Sequence, residues 1–168
     1  MSAAIIALIV STIVNHRHQQ QRLHAVLTAG GCRTDSRADP DGVGVHVADP
    51  VYQVNPPAGG PHIATPAPSG FYTTDDAPPD GKVVHSLEHG YIDIWYHPDL
   101  SQQDIAALRS LDDEFPIDVL MIPRPSMSTL VAATAWDHRL LCPNVQPGPL
   151  AAFVKAYRNK GPERIPHQ

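Results

Sequence analysis

Residues 83–96 read VVHSLEHGYIDIWY. The second half, Tyr91-Ile92-Asp93-Ile94-Trp95-Tyr96, is rich in β-branched and aromatic residues in alternation and predicts a strand. Gly90 breaks the chain just before it, Ser86 to His89 reads as a tight turn or one helical turn, and Val83-Val84-His85 as a β-prone start. Asp93 shares the strand with Tyr91 and Trp95, so it either faces solvent or pairs with a buried partner such as Arg158.

Downstream, Ser101 is placed to cap a helix with Asp104 at its third position. Ile105, Leu108, Leu111 and Phe115 then recur at helical spacing until Pro116. Asp118 to Ile122 predicts a second strand, Thr129 to Trp136 a third, and Pro149 to Asn159 a second helix closed by Gly161. The order strand, helix, strand, strand, helix predicts an α+β fold: a small, mainly antiparallel sheet with two helices on one face.

Upstream, Asp35 to Asp80 carries Pro40, Pro50, Pro56, Pro57, Pro61, Pro66, Pro68, Pro78 and Pro79 with frequent glycine, and so predicts extended loop and turns. Tyr52, Phe71 and Tyr72 punctuate it, and aromatics of this kind anchor a loop to a core, so it reads as a long ordered wrap.

Ser2 to Val14 is uncharged and largely apolar, thirteen residues that fall short of a bilayer span, which needs about 20. The segment is read as part of a single-pass membrane anchor whose start lies upstream, with an atypical secretory signal as the alternative, because Arg17 follows the apolar run and no basic residue precedes it. Asn15 to Gly31 then reads as a juxtamembrane stalk, with Leu23, Val26 and Leu27 as its apolar residues. The expected organisation is 1–14 anchor or signal, 15–31 stalk and 32–168 a single domain on the extracytoplasmic side of the cell membrane.

Two cysteines, Cys32 and Cys142, are far apart and show no CxxC or zinc-knuckle spacing, so in an exported protein they predict a long-range disulfide. Lipidation at Cys32, suggested by Ala29-Gly30-Gly31, is disfavoured because Asn15 to His24 is polar where an apolar region should stand.

Twelve Lys+Arg against seventeen Asp+Glu give a formal charge of −5, and the absence of a basic patch argues against nucleic acid as a partner. Ten histidines in 168 residues raise metal binding instead. His85 and His89, four apart, share one face of a helical turn at a separation that one ion could bridge. Asn55-Pro56-Pro57-Ala58-Gly59-Gly60-Pro61 stiffens the backbone ahead of His62, and His46 is a fourth candidate. His85-Ser86-Leu87-Glu88-His89 also fits H-x-x-E-H, the pattern of inverted zinc peptidases, and Glu163 stands downstream as a tempting third ligand. Those enzymes need the motif in a long helix, which Gly90 and the following strand deny. Ser86 lacks a nucleophile elbow, and enzyme activity is not the favoured reading. Met121 and Met127 read as core, with thioether ligation of copper(I) as the lesser alternative. His97, His138 and His167 read as surface residues.

The segments PPAGGPH (56–62), Gly70-Phe71-Tyr72 and VHSLEHG (84–90), followed by a strand ending in Trp95-Tyr96, resemble a bacterial family of unknown function, domain-of-unknown-function family 3105, with PPTSGPH-like and H-x-LEHG-like motifs. The resemblance runs from about Gly31-Cys32 to Glu163, with Ala58-Gly59 in place of the usual Thr-Ser. It implies a membrane-anchored or exported protein, and places His46, His62, His85, Glu88 and His89 at the family's motif positions without saying what they bind. The functional expectation is an exported, membrane-tethered protein that binds copper, or secondly zinc, through His62, His85, His89 and His46, with Glu88 orienting an imidazole. The rival is a non-catalytic cell-envelope interaction module in which the same residues form a structural hydrogen-bonded core and whose protein partner is unknown.

Overall fold

The structure is a computed structural model that describes residues 3–36 and 42–163. Along the chain run α1 (Ala3–Leu27), β1 (Arg33–Ser36), β2 (Gly70–Phe71), α2 (Asp80–Glu88), β3 (Ile92–Tyr96), α3 (Gln102–Glu114), β4 (Val119–Pro123), β5 (Val131–Ala135), β6 (His138–Cys142) and α4 (Pro147–Tyr157). The α+β class is as expected. The six strands form one sheet in the order β1-β6-β5-β3-β4-β2.

The sheet is mixed rather than mainly antiparallel. β1, β6, β5 and β3 pair antiparallel in succession, whereas β3–β4 and β4–β2 are parallel. The cause is α3: a helix between β3 and β4 carries the chain back to the end where β3 began, so the two strands must run the same way. Its start follows the cap logic, with the Ser101 hydroxyl accepting from Asp104 N–H at 3.1 Å. Beyond β5, the turn through Trp136 and Asp137, the latter with φ 64°, returns the chain as β6.

Instead of two helices there are four among the described residues, and they occupy both faces of the sheet. On one face Leu27, Leu108, Leu111, Leu150, Phe153 and Val154 from α1, α3 and α4 pack with Ile92, Ile94, Met121, Val131 and Leu140. The other face, carrying Trp95, Leu120, Ile122 and Ala132, is covered by Val83 of α2, Ala67 and Met127. Both methionines are therefore core residues.

The β-prone start expected at Val83-Val84-His85 is helical. Asp80 in the first turn suits the positive end of the helix, and Val83, Val84 and Leu87 are all fully buried, so packing overrides the β-preference of valine. α2 spans nine residues, longer than the single turn read from the sequence. Asp93 neither faces solvent nor meets Arg158: it is fully buried with both carboxylate oxygens unpartnered, and Arg158 pairs with Asp118 at 2.7 Å.

The Pro/Gly-rich loop lies against α2. Ser86 Oγ donates to Ala67 O at 2.7 Å and accepts from Ala67 N–H at 3.0 Å, and Ile63 N–H donates to Gly81 O. Asn55 Oδ1 accepts from Arg124 Nε, Tyr52 hydroxyl donates to Pro61 O, and Phe71 packs 5.4 Å from the Tyr96 ring.

Cys32 and Cys142 form the disulfide, joining the start of β1 to the end of β6 across 110 residues. Such a bond points to an oxidising, extracytoplasmic compartment. It also rules out lipidation at Cys32.

The segments read as anchor and stalk share one helix, α1, which ends at Leu27 ahead of a 3-10 turn at Ala29–Gly31; Ile5, Ile6, Leu8, Ile9, Val10, Ile13 and Val14 are exposed, and Leu23 and Leu27 pack on the domain. Among the described residues no helix is long and apolar enough to cross a membrane.

Candidate metal centre

Three segments converge beyond the second face of the sheet. α2 supplies His85 and Glu88, with His89 as its C-cap. The loop supplies His46 and His62, held side by side by a parallel bridge in which Val47 N–H donates to His62 O at 2.8 Å and His62 N–H to Val45 O at 3.0 Å. Glycine makes this approach possible, since a Cβ on Gly42 would lie 2.5 Å from Gly60 Cα.

The ring orientations follow from backbone carbonyls. His62 Nδ1 is 2.8 Å from Gly60 O, and His85 Nδ1 is 2.6 Å from Ile63 O. A carbonyl only accepts, so each Nδ1 carries the proton and each Nε2 of a neutral ring presents a lone pair. His62 Nε2 stands 3.0 Å from Glu88 Oε2 with both side chains fully buried, yet neither atom has a hydrogen-bond partner. Glu88 Oε1 accepts from Gly44 N–H, which fixes the carboxylate. Burial lowers the His85 pKa below the ordinary imidazole value, against the opposing Ile63 hydrogen bond, and so favours the neutral ring that can donate a lone pair.

His46 stacks on His85 with centroids 5.1 Å apart and 15° between planes, and meets His62 edge-on at 5.1 Å. Trp136 lies edge-on to His62 at 6.0 Å and walls the cluster with apolar surface.

Two overlapping sets of donor atoms result, each lying within 4.8 Å of one another: His46, His62, His85 and Glu88, and then His85, Glu88, His89 and Glu163. Donors about 2.0–2.2 Å from a zinc ion stand about 3.3–3.6 Å apart in tetrahedral geometry. The four histidines singled out in the sequence are thus together, but His89 belongs with Glu163, and Glu88 stands among the donors rather than behind them. The orienting carbonyls of Gly60 and Ile63 were not foreseen; Gly59 and Pro61 beside Gly60 were the only signal, and none marked Ile63.

Of the remaining histidines, His97 is partly exposed beside Asp99. His138, expected at the surface, is half-buried, 3.1 Å from Ser36 Oγ and packed 4.3 Å from the Tyr157 ring. His167 lies outside the described residues.

Fold and site define an α+β domain tied by a disulfide, with a buried histidine–glutamate cluster between a short helix and a glycine-rich loop. The chain belongs to the family described as "Protein of unknown function (DUF3105)", which matches residues 46–168 and therefore every residue of the cluster. No curated protein and no solved structure matches the chain.

Proposed function

We propose that the domain binds one divalent transition-metal ion, copper or zinc, through His46, His62, His85 and Glu88. The observation that carries this reading is the facing pair His62 Nε2 and Glu88 Oε2, two buried acceptor atoms 3.0 Å apart with no donor between them. Burying a carboxylate against a lone pair costs several kcal/mol unless a cation lies between. The Nδ1–carbonyl bonds of His62 and His85 are the arrangement that orients metal-binding imidazoles. Imidazole and carboxylate suit zinc(II) and copper(II); with Met121 and Met127 in the core, thioether ligation of copper(I) loses its support.

A second reading rests on the same pair. A proton on His62 also supplies a cation, and the cluster is then a structural ion pair that fixes the loop to α2 in a non-catalytic envelope module.

Export and tethering belong to this proposal. The disulfide supports export, and the exposed apolar residues of α1 from Ile5 to Val14 support a membrane or partner contact through the N-terminal segment.

Isothermal titration of tag-free protein with zinc and with copper tests the metal reading. His62→Ala, His85→Ala and His46→Ala should each weaken binding by about a hundredfold or more, beyond the 10–100-fold typical of outer partners. His97→Ala should leave it unchanged. Binding that is insensitive to all three changes, or absent from the wild type, refutes the proposal.

A further inference from the structure

The second donor set poses a question that the buried site does not answer: how a hydrated ion reaches it. His62 and Glu88 are fully buried, whereas the side chains of His89 and Glu163 are 11% and 53% exposed. His89 Nε2 lies 3.0 Å from His85 Nε2 and 3.3 Å from Glu163 Oε2, so three donors converge at the outer end of the cluster.

Glu163 is placed there by backbone, not by chance drift of a tail. After α4 the chain folds back onto the end of α2: Asn159 N–H donates to Gly90 O at 2.8 Å, and Glu163 N–H to Glu88 O at 3.1 Å. Gly161 sits so close to the Glu88 carbonyl that no Cβ fits. The same residue that presents its carboxylate to the buried set therefore holds Glu163 through its carbonyl.

His85 and Glu88 belong to both sets. His85 Nδ1 is committed to Ile63 O, so only Nε2, which lies 3.0 Å from His89 Nε2, remains to ligate, and it serves one ion at a time. With His85 in both, the two sets are alternative positions for a single ion: the outer one ends at exposed Glu163, and the deeper one has His62, His85 and Glu88 buried with His46 exposed at its edge. His46, the exposed member of the buried set, offers an imidazole; Glu163 offers the carboxylate charge that draws a hydrated cation from a distance.

Resting on the metal-binding reading above, we infer that Glu163 and His89 form an outer station that captures a divalent transition-metal ion and passes it through His85 and Glu88 to the buried site. The transfer is ligand exchange at constant oxidation state: water leaves as His89 and Glu163 coordinate, and these two leave in turn as His62 and His46 take their places.

Stopped-flow loading of the full chain with zinc, and release to a chromophoric chelator, tests this. Glu163→Gln should slow loading and release about tenfold each and leave Kd within about threefold, because a capture ligand lowers the barrier in both directions. Glu163→Asp, which keeps the charge, should recover part of the rate. The wild-type loading rate should fall with added salt, and that of Glu163→Gln should fall less. Unchanged rates in Glu163→Gln overturn the inference. So does a Kd weakened tenfold with an unchanged loading rate, which would make Glu163 a ligand of the resting ion. Failure of the wild type to retain zinc at equilibrium is the distinct result that removes the buried site itself and the station with it.

Discussion

His62 Nε2 and Glu88 Oε2 face each other at 3.0 Å in a fully buried environment, and the His62 proton is already committed to Gly60 O on the other side of the ring. With the ring neutral, both facing atoms are acceptors, and this is the feature on which the metal proposal rests. Everything around the pair holds it in that condition: Gly44 N–H grips the other Glu88 oxygen, and Trp136 closes the side against His62.

Glu88 distinguishes a ligand from an orienting group. Glu88→Gln keeps the shape and one acceptor oxygen but loses the charge, and as a ligand substitution it should weaken zinc binding by more than about a hundredfold, outside the range of an outer partner. In metal-free protein the same change should leave melting little altered or raise it, because a buried charge is removed. Calorimetry with and without zinc reads both effects; a loss of stability equal in the two conditions would indicate a structural ion pair.

The disulfide should be present in mature protein. Alkylation and mass analysis without reductant should find no free thiol at Cys32 or Cys142. Replacing both by serine should lower unfolding free energy by about 2–5 kcal/mol, since a closed loop of this length constrains the unfolded chain strongly. Denaturant unfolding measures the difference, and an unchanged midpoint would contradict it.

Asp93 gives a pH signature of its own. Burial raises its pKa well above the usual carboxylate value, with Asp80 adding to the effect. Above about pH 3.9 the unfolded chain releases this proton while the folded one keeps it, so stability falls as pH rises from there toward the folded pKa. Asp93→Asn removes the titration and should flatten that part of the profile, leaving the variant more stable than wild type at pH 7. Denaturant melts between pH 4 and pH 8 follow it; parallel profiles for the two proteins would show that the carboxyl is ionised and paired.

The α+β class was legible because α3 and strands β3, β4 and β5 carry their patterns openly: Ser101 caps, Leu108 and Leu111 repeat, and Ile92 to Tyr96 alternate. The parallel β3–β4 pairing was implicit in the same order, since a helix intervenes, but strand alternation alone does not state direction. β6 was missed because His138-Arg139 opens it with charge, and Arg139 is buried with Asp35, directly across on β1, and the Asn55 and Pro56 carbonyls as its partners. α2 was misread because its valines favour strands locally and become helical only through tertiary burial. At the site, the residue types were visible in the motifs, while the division of donors into two sets depends on the fold of the C-terminal segment onto Glu88, which no local pattern encodes.

The loop should be held by Ser86. Its hydroxyl clasps both backbone groups of Ala67, and Ser86→Ala leaves them unsatisfied at a cost of about 1–3 kcal/mol. Limited proteolysis should then cut between Val54 and Phe71 faster than in the wild type. Equal cutting rates in the two proteins would show that the clasp does not secure the segment.

The most direct measurement is X-ray absorption at the zinc and copper edges on tag-free protein, loaded with each metal and dialysed. The predicted result is about one retained equivalent, with nitrogen and oxygen donors at about 2.0–2.2 Å and the outer scattering of imidazole rings. No edge after dialysis, or the spectrum of a fully hydrated ion, would contradict it and leave a proton as the cation between His62 and Glu88.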